Sequence, residues 1–240
     1  DSFEFFSKNQ GHASALTKAL RQMVGNAPNM KDLFQILSDN NYDSGYEGLS
    51  EALVVASAFK SHSSQFAELR LRPEGQGFDT HSNHEKVHLN AQSKSFEMVK
   101  DILDLFKKIS YGDNGESLFD RTTFMITSEF SRTAALNNAK GKDHNPMTNS
   151  ALFIGNGIKG NQVIGASRLV TRAKSRMGQS YQIGMPYDYS SGEVITSRVS
   201  GSEFITPKNI LRTLCEAIKV DPSKVTGVDS STSVLRKLLS

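Results

Sequence analysis

The chain has 240 residues, of which 37% are hydrophobic and 22% are charged, as in a folded globular protein rather than a disordered or fibrous one. Its 28 basic and 25 acidic residues are scattered and leave a formal charge of only +3, which argues against a nucleic-acid partner. The single cysteine, Cys215, excludes an intrachain disulfide, and the longest apolar runs are far shorter than the roughly 20 residues of a membrane helix.

The first sixty residues predict three amphipathic helices. Apolar side chains recur at helical spacing over residues 16–23, 33–37 and 49–58. Asn29 and Ser50 are candidate N-caps for the second and third of these helices. The chain opens with Asp1, and no export signal precedes it, so we expect a processed or truncated product.

Predicted strands alternate with helical patterns after residue 60. Residues 65–71 alternate apolar and polar side chains, which indicates a strand, and residues 93–109 have the period of a helix. The apolar runs at 122–127 and 151–157 predict two more strands, the first of them covered on both faces. This alternation predicts an α/β fold with a mostly parallel sheet and helices on both faces, in which ligand sites lie beyond the carboxyl ends of the strands.

The remainder of the chain is less regular. Residues 160–204 combine glycine and serine with short β-like pieces, so we expect a mixed peripheral region. A helix should begin at Thr206 and Pro207 and bury the Cys215 thiol, and a last short helix is expected near VLRKLL. We take residues 1–240 as a single domain or as the carboxyl-terminal fragment of one.

Carboxylate and imidazole side chains occur where the predicted strands end. Asp79 and His81 form a pairing that is common at divalent metal sites, although Asp-Thr also makes an ordinary turn. Asp143 and His144 are adjacent in a glycine- and proline-flanked loop. They could present two ligands from one turn, or form a capped turn with an exposed histidine.

Two further groups accompany these residues. Glu129 follows the strand predicted at 122–127, and Arg132 is close enough in sequence to hold that carboxylate or a bound oxyanion; a structural ion pair is the alternative. His84 and His88 are four residues apart and would share one helix face. Charged neighbours favour a solvated helix start over a ligand role for these two histidines.

Four segments, taken in order, resemble a single family. They are FDTH at 78–81, TSEFSRT at 127–133, GKDHNP at 141–146 and LFIGNGIKGNQVIGAS at 152–167. The family is the sulfatase-like domain of unknown function 1501, whose members carry Gly-Trp-Asp-Thr-His, Ser-Glu-Phe-Gly-Arg-Thr and Arg-Asp-His-Trp motifs and a glycine-rich stretch in that order. The segment ITPKNILRTLCEAIKVDPSKV is similar to the family's closing helix, so the resemblance covers most of residues 48–225.

This chain departs from the family motifs at four positions. Phe78 and Asn145 replace tryptophans, Ser131 replaces a glycine, and Lys142 replaces an arginine. Family members also begin with an additional strand and a glycine-rich, Asp-containing loop that has no counterpart here. The chain would then be a fragment, receive that strand from a partner chain, or have lost catalysis.

The resemblance implies an alkaline-phosphatase-like fold and the hydrolysis or transfer of phosphate or sulfate esters, with a small anionic ester as substrate. It also implies a divalent ion, Zn, Mn, Mg or Ca, near a set of five residues: Asp79, His81, Glu129, Asp143 and His144. Arg132 would help to hold the anion as a catalytic residue, and the nucleophile would be Thr80, Ser128 or water activated by the metal.

Twin-arginine export signals are frequent in the family, and this implies a periplasmic or secreted location. The alternative to a hydrolase is a non-catalytic secreted protein that keeps the fold in order to bind a partner or an extracellular polymer.

Overall fold

The computed structural model describes residues 47–71, 77–171, 180–196, 200 and 202–240. The helices predicted over 16–23 and 33–37 lie outside the described residues. Within the described part the α-helices are α1 (Glu47–Lys60), α2 (His84–Lys108) and α3 (Pro207–Ala217). Ser50, a predicted N-cap, lies inside α1.

The strands are short, and most have two residues. In chain order they are β1 (Ser110–Tyr111), β2 (Glu116–Ser117), β3 (Thr123–Thr127), β4 (Ser131–Arg132), β5 (His144–Asn145), β6 (Ala151–Gly155), β7 (Ser167–Thr171), β8 (Ser180–Gly184), β9 (Tyr187–Asp188), β10 (Glu193–Val194) and β11 (Ser202–Glu203). Single turns of 3-10 helix occur at Phe119–Arg121, Pro222–Lys224 and Arg236–Leu238.

The prediction of a mostly parallel α/β sheet with helices on both faces is wrong. Among the described residues, every strand pairing is antiparallel, and the sheets have two or three strands each: β1–β2, β3–β6, β4–β5, β7–β8 and β10–β9–β11. The part of the chain that the structure describes therefore does not have the alkaline-phosphatase-like architecture that the motif resemblance implied.

The β3–β6 pair shows why the sequence pattern misled. Both strands were predicted correctly as elements, and they pair with Met125 opposite Phe153. Met125 and Leu152 are each 41% exposed, so the apolar run is not covered on both faces as a central parallel strand would be. An apolar run of five residues predicts a strand, but it does not predict whether the partner strand is parallel or antiparallel.

The described residues fall into two compact units. The first contains the described residues up to Gly77 together with Asn90–Asp120, and the second contains Phe78–Leu89 and the described residues from Arg121 onward. The prediction of a single domain stays a prediction.

The first unit is held by an amphipathic stripe on α2. Its buried apolar residues follow helical spacing and comprise Ala91, Met98, Val99, Ile102, Leu105 and Phe106, and Ile109, directly after the helix, is also buried. Phe106 meets Phe59 of α1 edge to face, with ring centroids 6.4 Å apart. The helix predicted over 93–109 is therefore confirmed.

Residues 65–71, predicted as a strand, have no strand pairing, and Phe66 is 82% exposed.

In the second unit, α3 is fastened to the end of the chain. The Asn209 side chain accepts from the backbone N–H of Thr206 (3.0 Å) and donates to the carbonyl of Ser233 (3.0 Å). The buried Thr213 hydroxyl accepts from the backbone N–H of Leu235 (3.0 Å). Cys215 is 3% exposed, so the predicted buried thiol is confirmed. Over the described ranges, no helix is both long and apolar enough for a membrane crossing.

Candidate metal centre

Backbone hydrogen bonds bring two loops of the second unit together. The backbone N–H of Lys142 donates to the carbonyl of Thr80 (3.0 Å), and that of His84 donates to the carbonyl of Lys140 (2.9 Å). The bridge between Ser82 and Lys140 extends the same contact. The loop before α2 therefore lies along the segment that leads into β5, although some sixty residues separate them in sequence.

Gly141 allows this close approach. A Cβ atom placed on Gly141 would lie 1.8 Å from the carbonyl oxygen of His81, which is backbone and has no freedom to move aside. Only a residue without a side chain fits there. The glycine of the GKDHNP segment thus sets the distance between the two loops.

Asp79, His81 and His144 converge at the junction. Asp79 Oδ1 lies 3.1 Å from His81 Nε2 and 3.8 Å from His144 Nε2, and the two Nε2 atoms are 3.1 Å apart. One ligating atom from each residue lies within 4.8 Å of the other two, and all three residues are exposed. They form a possible metal-binding triad. Two imidazoles and a carboxylate are a donor set that suits zinc and other divalent transition metals.

Asp143 stands behind His81 rather than among the three converging atoms. Its Oδ1 is 2.9 Å from His81 Nδ1. A carboxylate only accepts, so this contact places a hydrogen on Nδ1 and leaves Nε2 as the nitrogen that faces Asp79 and His144. A carboxylate behind a ligating histidine is a common arrangement at metal sites, where it fixes the ring and raises its basicity.

Glu129 is not brought into the cluster. It follows β3 and is exposed, and in the described part of the chain the group of converging ligand atoms includes none from this residue. The two loops thus bring together Asp79, His81 and His144, with Asp143 attached by a hydrogen bond. The ligand roles predicted for Glu129 and Asp143 stay predictions.

The largely buried Arg132 side chain hydrogen-bonds to both loops. Register places it opposite His144 in the β4–β5 pair. Its Nη2 donates to Asp79 Oδ1 and to the carbonyl of Phe78, both at 2.8 Å. Its Nη1 donates to the carbonyl of Lys142 at 3.0 Å and lies 3.4 Å from His81 Nε2. The side chain is only 12% exposed, so most of its donors are committed within the protein.

Arg132 also lowers the pKa of Asp79. The hydrogen bond from the guanidinium is the main cause that lowers the pKa of Asp79 below its ordinary value, and His81 and His144 add to the effect. Asp79 is therefore ionised over the whole physiological range. Because its side chain is 76% exposed, solvent screens this pairing.

A second group of side chains, His84, His88, Thr80 and Phe78, lies where α2 begins. The rings of His84 and His88 stack with centroids 4.5 Å apart and planes at 22°, as their spacing of four residues predicts. Thr80 Oγ1 shares a hydrogen bond of 2.6 Å with His84 Nδ1. Phe78 meets the His88 ring edge to face.

The solvated helix start predicted for these histidines is wrong for His84, which is 9% exposed. Burial is the main cause that lowers the pKa of His84 and of His88, and the positive charges of Lys142 and Arg132 lower both further. Both histidines are therefore neutral near pH 7.

Two residues near the cluster were missed by the sequence reasoning. Phe130 stacks on His144, with ring centroids 3.9 Å apart. Asn137 hydrogen-bonds to both loops. A signal for Asn137 was present, because asparagine followed closely by glycine is typical of turns in which the amide binds nearby backbone.

The fold and the cluster together describe a protein whose described strands form small antiparallel sheets, with a candidate divalent-metal site between two loops. The chain matches the family model described as "Protein of unknown function (DUF1501)" over residues 8–178, which is well over half of its length. It therefore belongs to that family. No curated protein and no solved structure matches the chain.

The family match confirms one part of the motif resemblance. It includes the segments that contain Asp79, His81, Arg132 and His144 and ends before α3, whose similarity to the closing helix of the family lies outside the matched range.

Proposed function

We propose that this chain binds one divalent transition-metal ion through Asp79, His81 and His144, and that the loaded site hydrolyses phosphate or sulfate esters. The observation that carries the proposal is the convergence of three ligating atoms from two loops within 4.8 Å. Two of the three are imidazole nitrogens, so zinc fits better than magnesium or calcium, which prefer oxygen ligands.

The metal, when bound, would act as a Lewis acid toward an ester oxygen and lower the pKa of an adjacent water. The residues of this chain would prepare the site for that chemistry. Asp143 fixes the His81 ring, and Arg132 holds Asp79 and ties it to the carbonyls of Phe78 and Lys142. These contacts pre-set the positions of the ligands, which is the main structural requirement of a metal site.

Water is the attacking group in this proposal. Thr80 is 1% exposed and its hydroxyl is bonded to His84, so it is closed to a substrate. The Ser128 hydroxyl has two possible acceptors for its one hydrogen, the carbonyl oxygen of Phe130 (3.0 Å) and Asn149 Oδ1 (3.1 Å), and no described contact joins it to a base. Ser128 therefore lacks the adjacent general base that activates a nucleophile, whereas Thr80 has His84 beside its hydroxyl but is closed to a substrate by its burial.

The finer points of this proposal rest on the motif resemblance. The order of the motifs supports a sulfatase-like reaction and a small anionic ester as substrate. A periplasmic or secreted location, and a partner chain that supplies an additional strand, are proposed on the same ground.

A second candidate is a non-catalytic protein whose cluster is a structural ion-pair network. The observation that favours it is Arg132, which already neutralises Asp79 Oδ1 at 2.8 Å and approaches His81 Nε2. A protein cation at these atoms can complete the network without a metal. The two candidates differ in whether the chain binds metal tightly and turns over an ester.

Metal analysis of the untagged chain separates the two candidates. We expect one equivalent of Zn²⁺ or Mn²⁺ per chain by calorimetric titration, and loss of that equivalent in the variants Asp79→Asn, His81→Gln and His144→Gln. His62→Gln is the matched control, because His62 is an exposed histidine of the first unit.

Aryl phosphate and aryl sulfate are then assayed with the loaded chain. Turnover that requires the metal and all three ligands supports the hydrolase. Metal binding without turnover supports the metal site and overturns the hydrolase, and a wild-type chain that binds neither metal overturns the metal site and leaves the second candidate.

A further inference from the structure

Asn137 uses the whole hydrogen-bonding capacity of its side chain. Its Oδ1 accepts from the backbone N–H groups of Ala139 and Gly141, both at 2.9 Å. Its Nδ2 donates to the carbonyl oxygen of His81 and to Asp143 Oδ1, both at 3.1 Å. Backbone N–H groups only donate and carbonyl oxygens only accept, so these partners fix which end of the amide is which.

The amide therefore controls the orientation of His81 from two directions. Asp143 Oδ1 is held between Asn137 Nδ2 and His81 Nδ1, which are 3.1 Å and 2.9 Å away. The same NH₂ group holds the His81 backbone, so main chain and ring are fixed by one side chain. Without this donor, Asp143 Oδ1 would lose one of the contacts that aim it at Nδ1, and the ring would be free to take the other tautomer.

We propose that Asn137 is a positioning residue for the candidate metal centre, which holds Asp143 so that the hydrogen of His81 stays on Nδ1 and its Nε2 faces Asp79 and His144. This inference rests on the proposed function for its consequence, namely metal affinity. Its structural part, the tautomer of His81, can be read without any metal. Groups that orient a ligand in this way change metal affinity about 10- to 100-fold when they are removed.

Asn138, the residue after Asn137, provides a matched control. Asn138 is the same residue type in the same loop and is exposed to solvent, whereas Asn137 is half-buried. Asn138→Ala removes an asparagine amide of the loop without touching either contact to His81. A difference between the two alanine variants therefore reports the position of the amide and not the composition of the loop.

The tautomer is measured in metal-free chain labelled with ¹⁵N-histidine, by long-range proton–nitrogen correlation at one fixed pH, with His81→Gln used to assign the His81 signals. We expect a protonated Nδ1 in the wild type and in Asn138→Ala. In Asn137→Ala we expect Nδ1 to lose its hydrogen in most molecules. Asn137→Asp is the second variant, because its carboxylate still accepts from Ala139 and Gly141 but cannot donate to Asp143, and the same loss is expected.

Zinc affinity is measured on the same four proteins. We expect the dissociation constant for zinc to be 10- to 100-fold larger for Asn137→Ala than for the wild type, in line with the usual effect of removing a residue that orients a metal ligand. For Asn138→Ala we expect less than a twofold change. An unchanged His81 spectrum in folded Asn137→Ala and Asn137→Asp overturns the inference, whatever the zinc result. A wild type that keeps the protonated Nδ1 but binds no zinc overturns the proposed function and leaves the positioning of His81 supported.

Discussion

The buried hydrogen bond between Thr80 and His84 gives a direct test of how the ligand loop is held. Thr80 lies between two of the candidate ligands and is 1% exposed, and its Oγ1 is 2.6 Å from His84 Nδ1. Thr80→Val keeps the shape of the side chain and replaces the hydroxyl by a methyl group. The change therefore leaves a polar nitrogen of the buried His84 ring without this partner.

The magnitude follows from two opposing terms. A buried polar group that loses its partner costs about 1–3 kcal/mol, while the additional buried methyl group recovers up to about 0.8 kcal/mol. The net loss of unfolding free energy should be about 1–2 kcal/mol. In a protein of 150–250 residues, each kcal/mol corresponds to about 2–4 °C in Tm.

Urea and thermal unfolding of metal-free wild type and variant, at a pH where His84 is neutral, measure this loss. Thr226→Val is the control, because Thr226 is exposed in a turn and should change stability by less than about 0.5 kcal/mol. If Thr80→Val is as stable as the control, the hydroxyl contributes nothing and His84 does not fasten the loop. Rescue of stability by Thr80→Ser, which restores a hydroxyl, would show that the bond itself is responsible.

Three further predictions concern pH, packing and metal. Burial lowers the pKa of His84 and His88 from 6.5, so their contribution to stability is complete above pH 6.5 and is lost as the pH falls through the folded-state values; urea midpoints from pH 8 to pH 5 should decline. Gly141→Ala should destabilise the chain by about 1–3 kcal/mol or more, because its Cβ would overlap the backbone of His81, whereas Gly160→Ala, with nothing within 4 Å, should be nearly neutral in the same unfolding assay. Zinc at 100 times its dissociation constant should raise the unfolding free energy by about 2.7 kcal/mol, an increment that EDTA removes and that calorimetry can follow.

Local sequence patterns identified the elements of this fold better than their arrangement. The apolar stripe that ends at Ile109 and the Thr206–Pro207 start each predicted a helix that the structure contains, because these signals depend on neighbours within one or two turns. The pairing of β3 with β6 depends on which strand lies beside β3 and on the direction of that strand, and the five residues of β3 do not determine either property. The parallel sheet was an inference from the order of elements, and the antiparallel register of Met125 and Phe153 overturns it.

The candidate site was foreseen in its residue types but not in its internal order. Asp79, His81 and His144 were chosen because carboxylates and imidazoles lay in successive loops, and backbone hydrogen bonds between those loops bring them together. Asp143 and His144 are adjacent in sequence, but the sequence does not show that His144 joins the converging atoms whereas Asp143 hydrogen-bonds to His81. This difference depends on which ring nitrogen of His81 faces which oxygen, a distinction that only coordinates make.

Charge balance decides what this cluster can attract. Its hydrogen-bonded members include two carboxylates, Asp79 and Asp143, and one guanidinium, Arg132, so with neutral imidazoles it has a single net negative charge. That charge favours a cation over an anionic ester, and Arg132 has too few uncommitted donors to reverse the preference. A divalent ion would turn the balance to one net positive charge. In the proposed hydrolase the attraction for a phosphate or sulfate ester would therefore come from the metal, and substrate binding should disappear when the metal is removed, even though Arg132 remains in place.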